Sequence, residues 1–219
     1  MNLHLYAHPF SSYCQKAIIA LYEHALPFTL RPINDGDAVA EEAFARRWPL
    51  KHMPLLTDGD RDVIEATIII EYVERYRGDR PALIPADGDR ALAVRFLDRF
   101  FDNYVMTPMQ RIVYDCIRPE GEHDPRGVAD ARAMLDRAYD WLDAHMPGRH
   151  WAAGDDFTLA DCAAAPALFY ADWVQPIPAR CEHARAYRAR LLARPSVACA
   201  VDEGRPYRHY FPPGAPDRD

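Results

Sequence analysis

Leu3 and Leu5 alternate with His4 and Tyr6 at the head of the chain, the period-two pattern of a short strand. His8-Pro9-Phe10-Ser11-Ser12 breaks that pattern, and a helical run follows over Tyr13 to His24, with Ile18, Ile19, Leu21 and Tyr22 apolar. Leu26-Pro27-Phe28-Thr29-Leu30 reads as a second strand, and the β-α-β unit so formed predicts a parallel pair. A helix is expected over Ala38 to Arg47. Leu55-Leu56-Thr57 and Arg61-Asp62-Val63-Ile64 flank Asp58-Gly59-Asp60, the signal of an antiparallel hairpin. A helix from Thr67 to Tyr76 closes the block. The order β-α-β-α-β-β-α predicts a mixed sheet of four strands carrying three helices.

Gly78-Asp79-Arg80-Pro81 and Pro85-Ala86-Asp87-Gly88 are rich in turn formers and read as a linker. No strand pattern follows it. Leu92, Phe96, Phe100 and Tyr104, flanked by Ala93, Leu97, Phe101 and Val105, predict one broad apolar helical face. Val128, Ala131, Leu135, Ala138 and Leu142 recur at steps of three and four on a second helix. Four prolines between Arg205 and Asp219 predict an irregular tail. The expected organisation is an α/β domain over 1–78, a linker over 79–88 and an all-helical domain over 89–219.

The 219 residues, 49% hydrophobic and 27% charged, supply ample material for packed cores and exclude a disordered chain. No apolar run reaches the roughly 18 residues of a membrane span. Met1-Asn2-Leu3-His4 carries no basic segment followed by a long apolar one, so a soluble, cytoplasmic protein is expected. The net charge of −7 leaves no basic surplus for phosphates, which argues against nucleic-acid binding. Cys14, Cys116, Cys162, Cys181 and Cys199 are odd in number and scattered, suggesting neither a disulfide framework nor a metal site.

Four places carry candidate chemistry. Ser11, Ser12, Tyr13 and Cys14 fall at a helix start, where open N–H groups and the helix dipole favour an anion and ease thiol ionisation. The same residues fit a plain capping box, Ser12-x-x-Gln15. Met53-Pro54 precedes a strand; local grounds favour a trans bond, while a cis bond would turn the backbone toward a ligand. Glu65-Ala66 opens the last helix of the block, where free N–H groups can hold a carboxylate or Glu65 can simply complement the dipole. Phe157-Thr158-Leu159-Ala160-Asp161-Cys162 is a capping box with a hydrophobic staple and needs no functional reading.

In this order and register, these four points resemble the cytosolic glutathione transferase family along essentially the whole chain. Pro9-Phe10-Ser11-Ser12-Tyr13-Cys14-Gln15-Lys16 looks like the active-site turn of its serine-dependent branch. Trp48-Pro49-Leu50-Lys51-His52-Met53-Pro54 is similar to the loop leading into the family's cis-proline, and Glu65-Ala66 to its glutamate-serine motif. The resemblance implies a thioredoxin-like first domain, an all-helical second domain and a homodimer. It implies that Ser11, with Ser12 as the alternative, stabilises the thiolate of the co-substrate glutathione for attack on a small electrophile. Phe10 would lie beside the bound tripeptide. Met53, turned by a cis Pro54, would pair with its cysteinyl part. Glu65 and the Ala66 N–H would hold the γ-glutamyl end, and Lys51 and His52 would lie near the glycyl carboxylate. A second-substrate pocket between the domains would be lined by His8, Phe10 and Tyr104 or Tyr114.

Two residues depart from the family pattern. Ala66 stands where Ser is usual, removing a hydroxyl donor to the γ-glutamyl carboxylate at a cost of about 1.5–3 kcal/mol unless water or Thr67 substitutes. Trp48 stands where Asn is frequent and is expected only to alter loop packing. Three rival readings follow from the residues. Ser11-x-x-Cys14 lacks the first thiol of a disulfide oxidoreductase. Ala66 motivates a non-catalytic binding module. A glutathione-dependent isomerase shares the turn, although Tyr13-Cys14 differs from the Cys-Ser expected there.

Overall fold

The computed structural model describes residues 2–219, and its first element is the strand β1 (Leu3–Ala7). Helix α1 (Ser12–Glu23) returns the chain to β2 (Phe28–Pro32), which lies parallel to β1 with Leu3 opposite Phe28 and Leu5 opposite Leu30. The second strand starts two residues later than its apolar pattern suggested. Helix α2 (Ala38–Arg47) is capped by Asp37, whose side chain accepts from the Ala40 N–H at 3.0 Å. The hairpin β3 (Leu55–Asp58) and β4 (Arg61–Ile64) turns at Gly59, whose φ of +60° suits a residue without a Cβ. The sheet order is β2-β1-β3-β4, with β3 antiparallel to both neighbours. Helix α3 (Ala66–Val73) and a 3₁₀ turn over Glu74–Tyr76 complete the three expected helices.

Nine of the twelve residues of α1 are buried, because α3 covers one side and two later helices the other. Such a helix is apolar nearly all round, which is why α1 carries Ala17, Ile18, Ile19, Ala20 and Leu21 in succession.

The rest is helical. Helix α4 (Gly88–Phe100) runs through a π-helical turn over Phe101–Met106 into α5 (Thr107–Asp115). Helices α6 (Pro125–His145), α7 (Leu159–Val174), α8 (Glu182–Ala193) and α9 (Pro195–Gly204) follow. All sixteen residues of α7 are buried, making it the axis of this part. Its start is the expected capping box: Asp161 accepts from the Thr158 N–H at 2.8 Å, and Phe157 and Cys162 are both buried.

Two patterns are corrected. The face read on α4 is not uniformly core: Leu97, Phe101 and Val105 are buried, but Leu92, Phe96 and Tyr104 are exposed. A stripe of about 100° suffices to pack α4 on α7, and the remaining apolar residues fall outside it. The tail is not wholly irregular, since Arg205–Tyr210 forms a 3₁₀ helix.

Candidate active site

Ser11 is the N-cap of α1 with φ −82° and ψ 127°, and no side chain caps the helix. The Ser12/Gln15 capping box does not form. Gln15 instead donates its amide to the Pro9 carbonyl at 2.9 Å and the Ala200 carbonyl at 3.4 Å, tying the turn to α9. Gly204 allows that approach, because a Cβ there would meet the Gln15 amide at 3.0 Å and the Pro9 carbonyl at 3.3 Å. Tyr170 on α7 donates to the Phe10 carbonyl at 2.8 Å. The turn is thus held from behind, while the first N–H groups of α1 lack helical acceptors, an arrangement suited to an anion.

Cys14 is fully buried, and burial pushes its thiol up to about 11, against the opposing pull of the Ser11 hydroxyl and the His8 backbone. It stays a thiol at neutral pH. Tyr13 is pushed up to about 12, by burial first and by Asp102 next.

The second half of the candidate site is the start of α3. Glu65 sits at its N-cap with φ +72°, a left-handed conformation that costs a residue with a Cβ on the order of 1 kcal/mol or more. Its carboxylate is exposed and caps nothing, while its carbonyl accepts from the Ile69 N–H at 2.8 Å. Such strained residues concentrate where a ligand is held. The Met53-Pro54 bond is cis, as the family resemblance implied and local grounds did not. Lys51 and His52 lie exposed just before it. Trp48 packs against the small cluster of Tyr6, Ile33, Ala40, Phe44 and Leu55 below this loop.

Ala66 is buried, and Thr67 cannot replace the missing hydroxyl. Thr67 Oγ1 already accepts from Lys16 at 2.9 Å and Arg99 at 2.7 Å and lies 3.1 Å from Asp98. Lys16 is a buried cation behind the candidate site whose role the sequence did not reveal. It is 1% exposed on α1, with Nζ 2.6 Å from Asp98 and 2.8 Å from Asp102. Burial raises the Asp102 carboxyl, and Lys16 opposes it. The signal was present in retrospect: a lone Lys in the apolar run of α1, and two Asp four residues apart among Leu97, Phe100 and Phe101.

Between the sheet-bearing and helical parts opens a cleft of about 320 Å³. Ser11, Ser12, Phe10 and Met53 form its floor; Met109, Val113, Tyr114 and Ile117 of the α5 segment form one wall; Tyr210, Phe211 and Pro212 close the other. Of the residues expected to line it, Phe10 and Tyr114 do. His8 and Tyr104 do not. His8 is buried with its ring 4.6 Å from that of Tyr207, and burial lowers its pKa. Tyr104 faces a separate groove with Pro108 and Met134. The three C-terminal aromatic and proline residues were missed because the tail was read as irregular. A larger cavity of about 980 Å³ lies between the end of α7 and α8, lined by Asp172, Arg185, Arg188 and Arg218, and contains none of the predicted residues.

The match to the family description "Glutathione S-transferase, N-terminal domain" covers residues 5–81, and "Glutathione S-transferase, C-terminal domain" covers 125–190. A glutathione S-transferase of Hyoscyamus muticus is 26% identical over 210 residues, covering 92% of this chain and 99% of the relative. Glutathione S-transferase 3 of Zea mays is 28% identical over 207 residues, covering 91% and 93%. The solved structure of a glutathione S-transferase from Methylobacterium radiotolerans, in complex with glutathione sulfonate, superposes with a TM-score of 0.80 at 28% identity, covering 92% of this chain and 95% of that one. With two family matches on consecutive parts of the chain and the same architecture throughout, the chain belongs to the glutathione S-transferase family and is, with it, a transferase.

Proposed function

We propose that the protein binds glutathione across the starts of α1 and α3 and transfers its thiolate to a small electrophile in the adjoining cleft. The observation that carries this reading is the uncapped start of α1, with Ser11 and Ser12 on the floor of a mainly apolar cleft. Ser11 donates to the sulfur, and the helix dipole stabilises the negative charge. The backbone of Met53 pairs with the cysteinyl unit, Glu65 and the Ala66 N–H hold the γ-glutamyl end, and Lys51 and His52 lie toward the glycyl carboxylate. Phe10 and Tyr114 contact the electrophile. The relative from Methylobacterium radiotolerans, solved with glutathione sulfonate, supports the choice of tripeptide.

The magnitudes assign the work. A thiol of pKa ~8.5 is about 3% ionised at pH 7. Lowering it by roughly two units takes about 2.7 kcal/mol and raises the thiolate about 25-fold. Intrinsic nucleophilicity falls about eightfold if the exponent of disulfide exchange carries over. The net gain is about threefold, so holding the electrophile against the sulfur supplies most of the acceleration. A cleft at the small end of ligand pockets suits that task.

A homodimer acting in the cytoplasm, in detoxification, completes the proposal. Leu92, Phe96 and Tyr104 on the α4–α5 segment and Trp141 on α6 leave an exposed apolar strip, with Phe96 and Trp141 rings 6.0 Å apart, of the kind a second subunit covers. The test is turnover with glutathione against an aryl halide, an epoxide, an unsaturated aldehyde and a hydroperoxide. Glutathione-dependent turnover of at least one is expected. No turnover of any would count against the transferase reading, and absence of saturable glutathione binding by the folded protein would favour the binding-module reading that Ala66 motivates.

A further inference from the structure

The cavity of about 980 Å³ between the end of α7 and α8 shares no lining residue with the cleft that holds Ser11 and Ser12. Three guanidinium groups line it, those of Arg185 and Arg188 from α8 and of Arg218 from the tail. Against them stand two carboxylates, Asp172 and Glu182. Asp172 is already well supplied with donors. Its Oδ1 accepts from the Ile177 N–H at 2.8 Å, while Arg218 holds Oδ2 through Nη1 and the Asp172 carbonyl through Nη2 at 2.8 Å. Glu182 is exposed in the first turn of α8, where the helix dipole favours it.

Arg188 is left short of acceptors. Its side chain is 12% exposed, and its Nε reaches the Leu168 carbonyl at a long 3.3 Å. Nη2 is buried without a hydrogen-bond partner among the described residues, 3.5 Å from the Asp172 oxygen that Arg218 holds. Burial pushes the Arg188 guanidinium down, Asp172 opposes this, and neighbouring Arg218 pushes it down again. A cation so far removed from water is ordinarily matched by a full set of acceptors. Arg185 lies one turn earlier on the same face of α8, and its exposed guanidinium pairs with no carboxylate among the described residues.

We propose that this cavity binds a phosphoryl group, with Arg188 and Arg185 as its two guanidinium donors. One planar fork satisfies the two oxygens of a carboxylate. A phosphoryl group, with three terminal oxygens and nearly two negative charges at neutral pH, employs both forks. Pro176, Ile177 and Ala189 add an apolar surface to the same lining, which suits a phosphate monoester. The proposal does not depend on the glutathione reading, since the two sites share no residue.

The test titrates phenyl phosphate, benzoate and inorganic phosphate calorimetrically into the full chain at constant ionic strength. Wild type is expected to bind phenyl phosphate saturably and at least about tenfold more tightly than benzoate. Arg188→Gln and Arg185→Gln are each expected to weaken phenyl phosphate about tenfold. Arg185 is on the surface, so Arg185→Gln should keep the melting temperature and the glutathione affinity of wild type. Inorganic phosphate bound as tightly as the ester supports recognition of the phosphoryl group alone; weaker binding supports a monoester that also uses the apolar surface. Absence of saturable phenyl phosphate binding overturns the proposal. So does benzoate bound as tightly as phenyl phosphate, or phenyl phosphate affinity unchanged in Arg185→Gln.

Discussion

Lys16 Nζ lies 2.8 Å from Asp102 Oδ2, with both side chains shut away from water, and this contact ties the helix carrying the candidate serines to the helical half of the molecule. The same ammonium reaches Thr67 at the head of α3. One buried cation thus sets the spacing between the starts of α1 and α3. Without it the two desolvated carboxylates of Asp98 and Asp102 would share the single, half-exposed guanidinium of Arg99. Lys16→Met should therefore destabilise the fold by about 3–5 kcal/mol, a drop in melting temperature on the order of 10 °C in a chain of this size. A change below about 1 kcal/mol in chemical denaturation would contradict the account.

Ser11 and Ser12 both face the cleft, but only Ser11 occupies the N-cap. Ser11→Ala is expected to raise the apparent pKa of bound glutathione thiol, read from thiolate absorbance against pH, and to lower kcat. Ser12→Ala should leave that pKa within a few tenths of wild type. The reverse ranking would move the role to Ser12.

Restoring a hydroxyl by Ala66→Ser should tighten glutathione binding about tenfold, since Thr67 is already engaged by Lys16, Arg99 and Asp98. Calorimetric titration checks this. Unchanged or weaker affinity would show that the γ-glutamyl end is held without that donor.

Cys14, with its thiol pushed up to about 11 in a fully buried position, should resist alkylation in the native state, whereas exposed Cys116 and Cys199 react. Mass spectrometry after iodoacetamide treatment reads the pattern. Cys14→Ser should keep turnover. Loss of turnover in Cys14→Ser but not in Ser11→Ala would favour disulfide chemistry.

Glu23, at the end of α1, accepts from Arg194 at 2.6 Å and from Ser196 at the start of α9. Burial pushes its carboxyl up, but Arg194 and Ser196 outweigh burial and hold it below the usual value. A lowered folded-state pKa gives stability that is present above the unfolded carboxylate range, near pH 4.3, and lost as pH falls through the folded value. Glu23→Gln should cost about 1–3 kcal/mol at pH 7, and the gap to wild type should narrow below about pH 4. A constant gap from pH 7 to pH 3 would contradict this.

The order of elements in the first domain, its mixed four-stranded sheet, the three helices and the α7 capping box were legible in the sequence, because alternation, helical spacing and Thr158-x-x-Asp161 are local signals; the strand order β2-β1-β3-β4 was not. The start of α1 was located, but its capping was misread: Gln15 finds acceptors on Pro9 and Ala200, and Ala200 lies 185 residues away. The cis bond at Pro54 came from the family likeness and from nothing local. Lys16 escaped notice because a lone Lys on a helix is ordinarily solvated, and its partners lie on another part of the chain. Tyr210 and Phe211 entered the cleft through the packing of a proline-rich tail, for which no periodic pattern exists.

The central claim, a glutathione site built on the starts of α1 and α3, is tested most directly by calorimetric titration of glutathione at neutral pH in two buffers of different ionisation enthalpy, with S-methylglutathione as control. Saturable binding of both ligands is predicted, with proton release for glutathione alone as its thiol ionises against α1. Absence of saturable binding for either ligand would contradict the account.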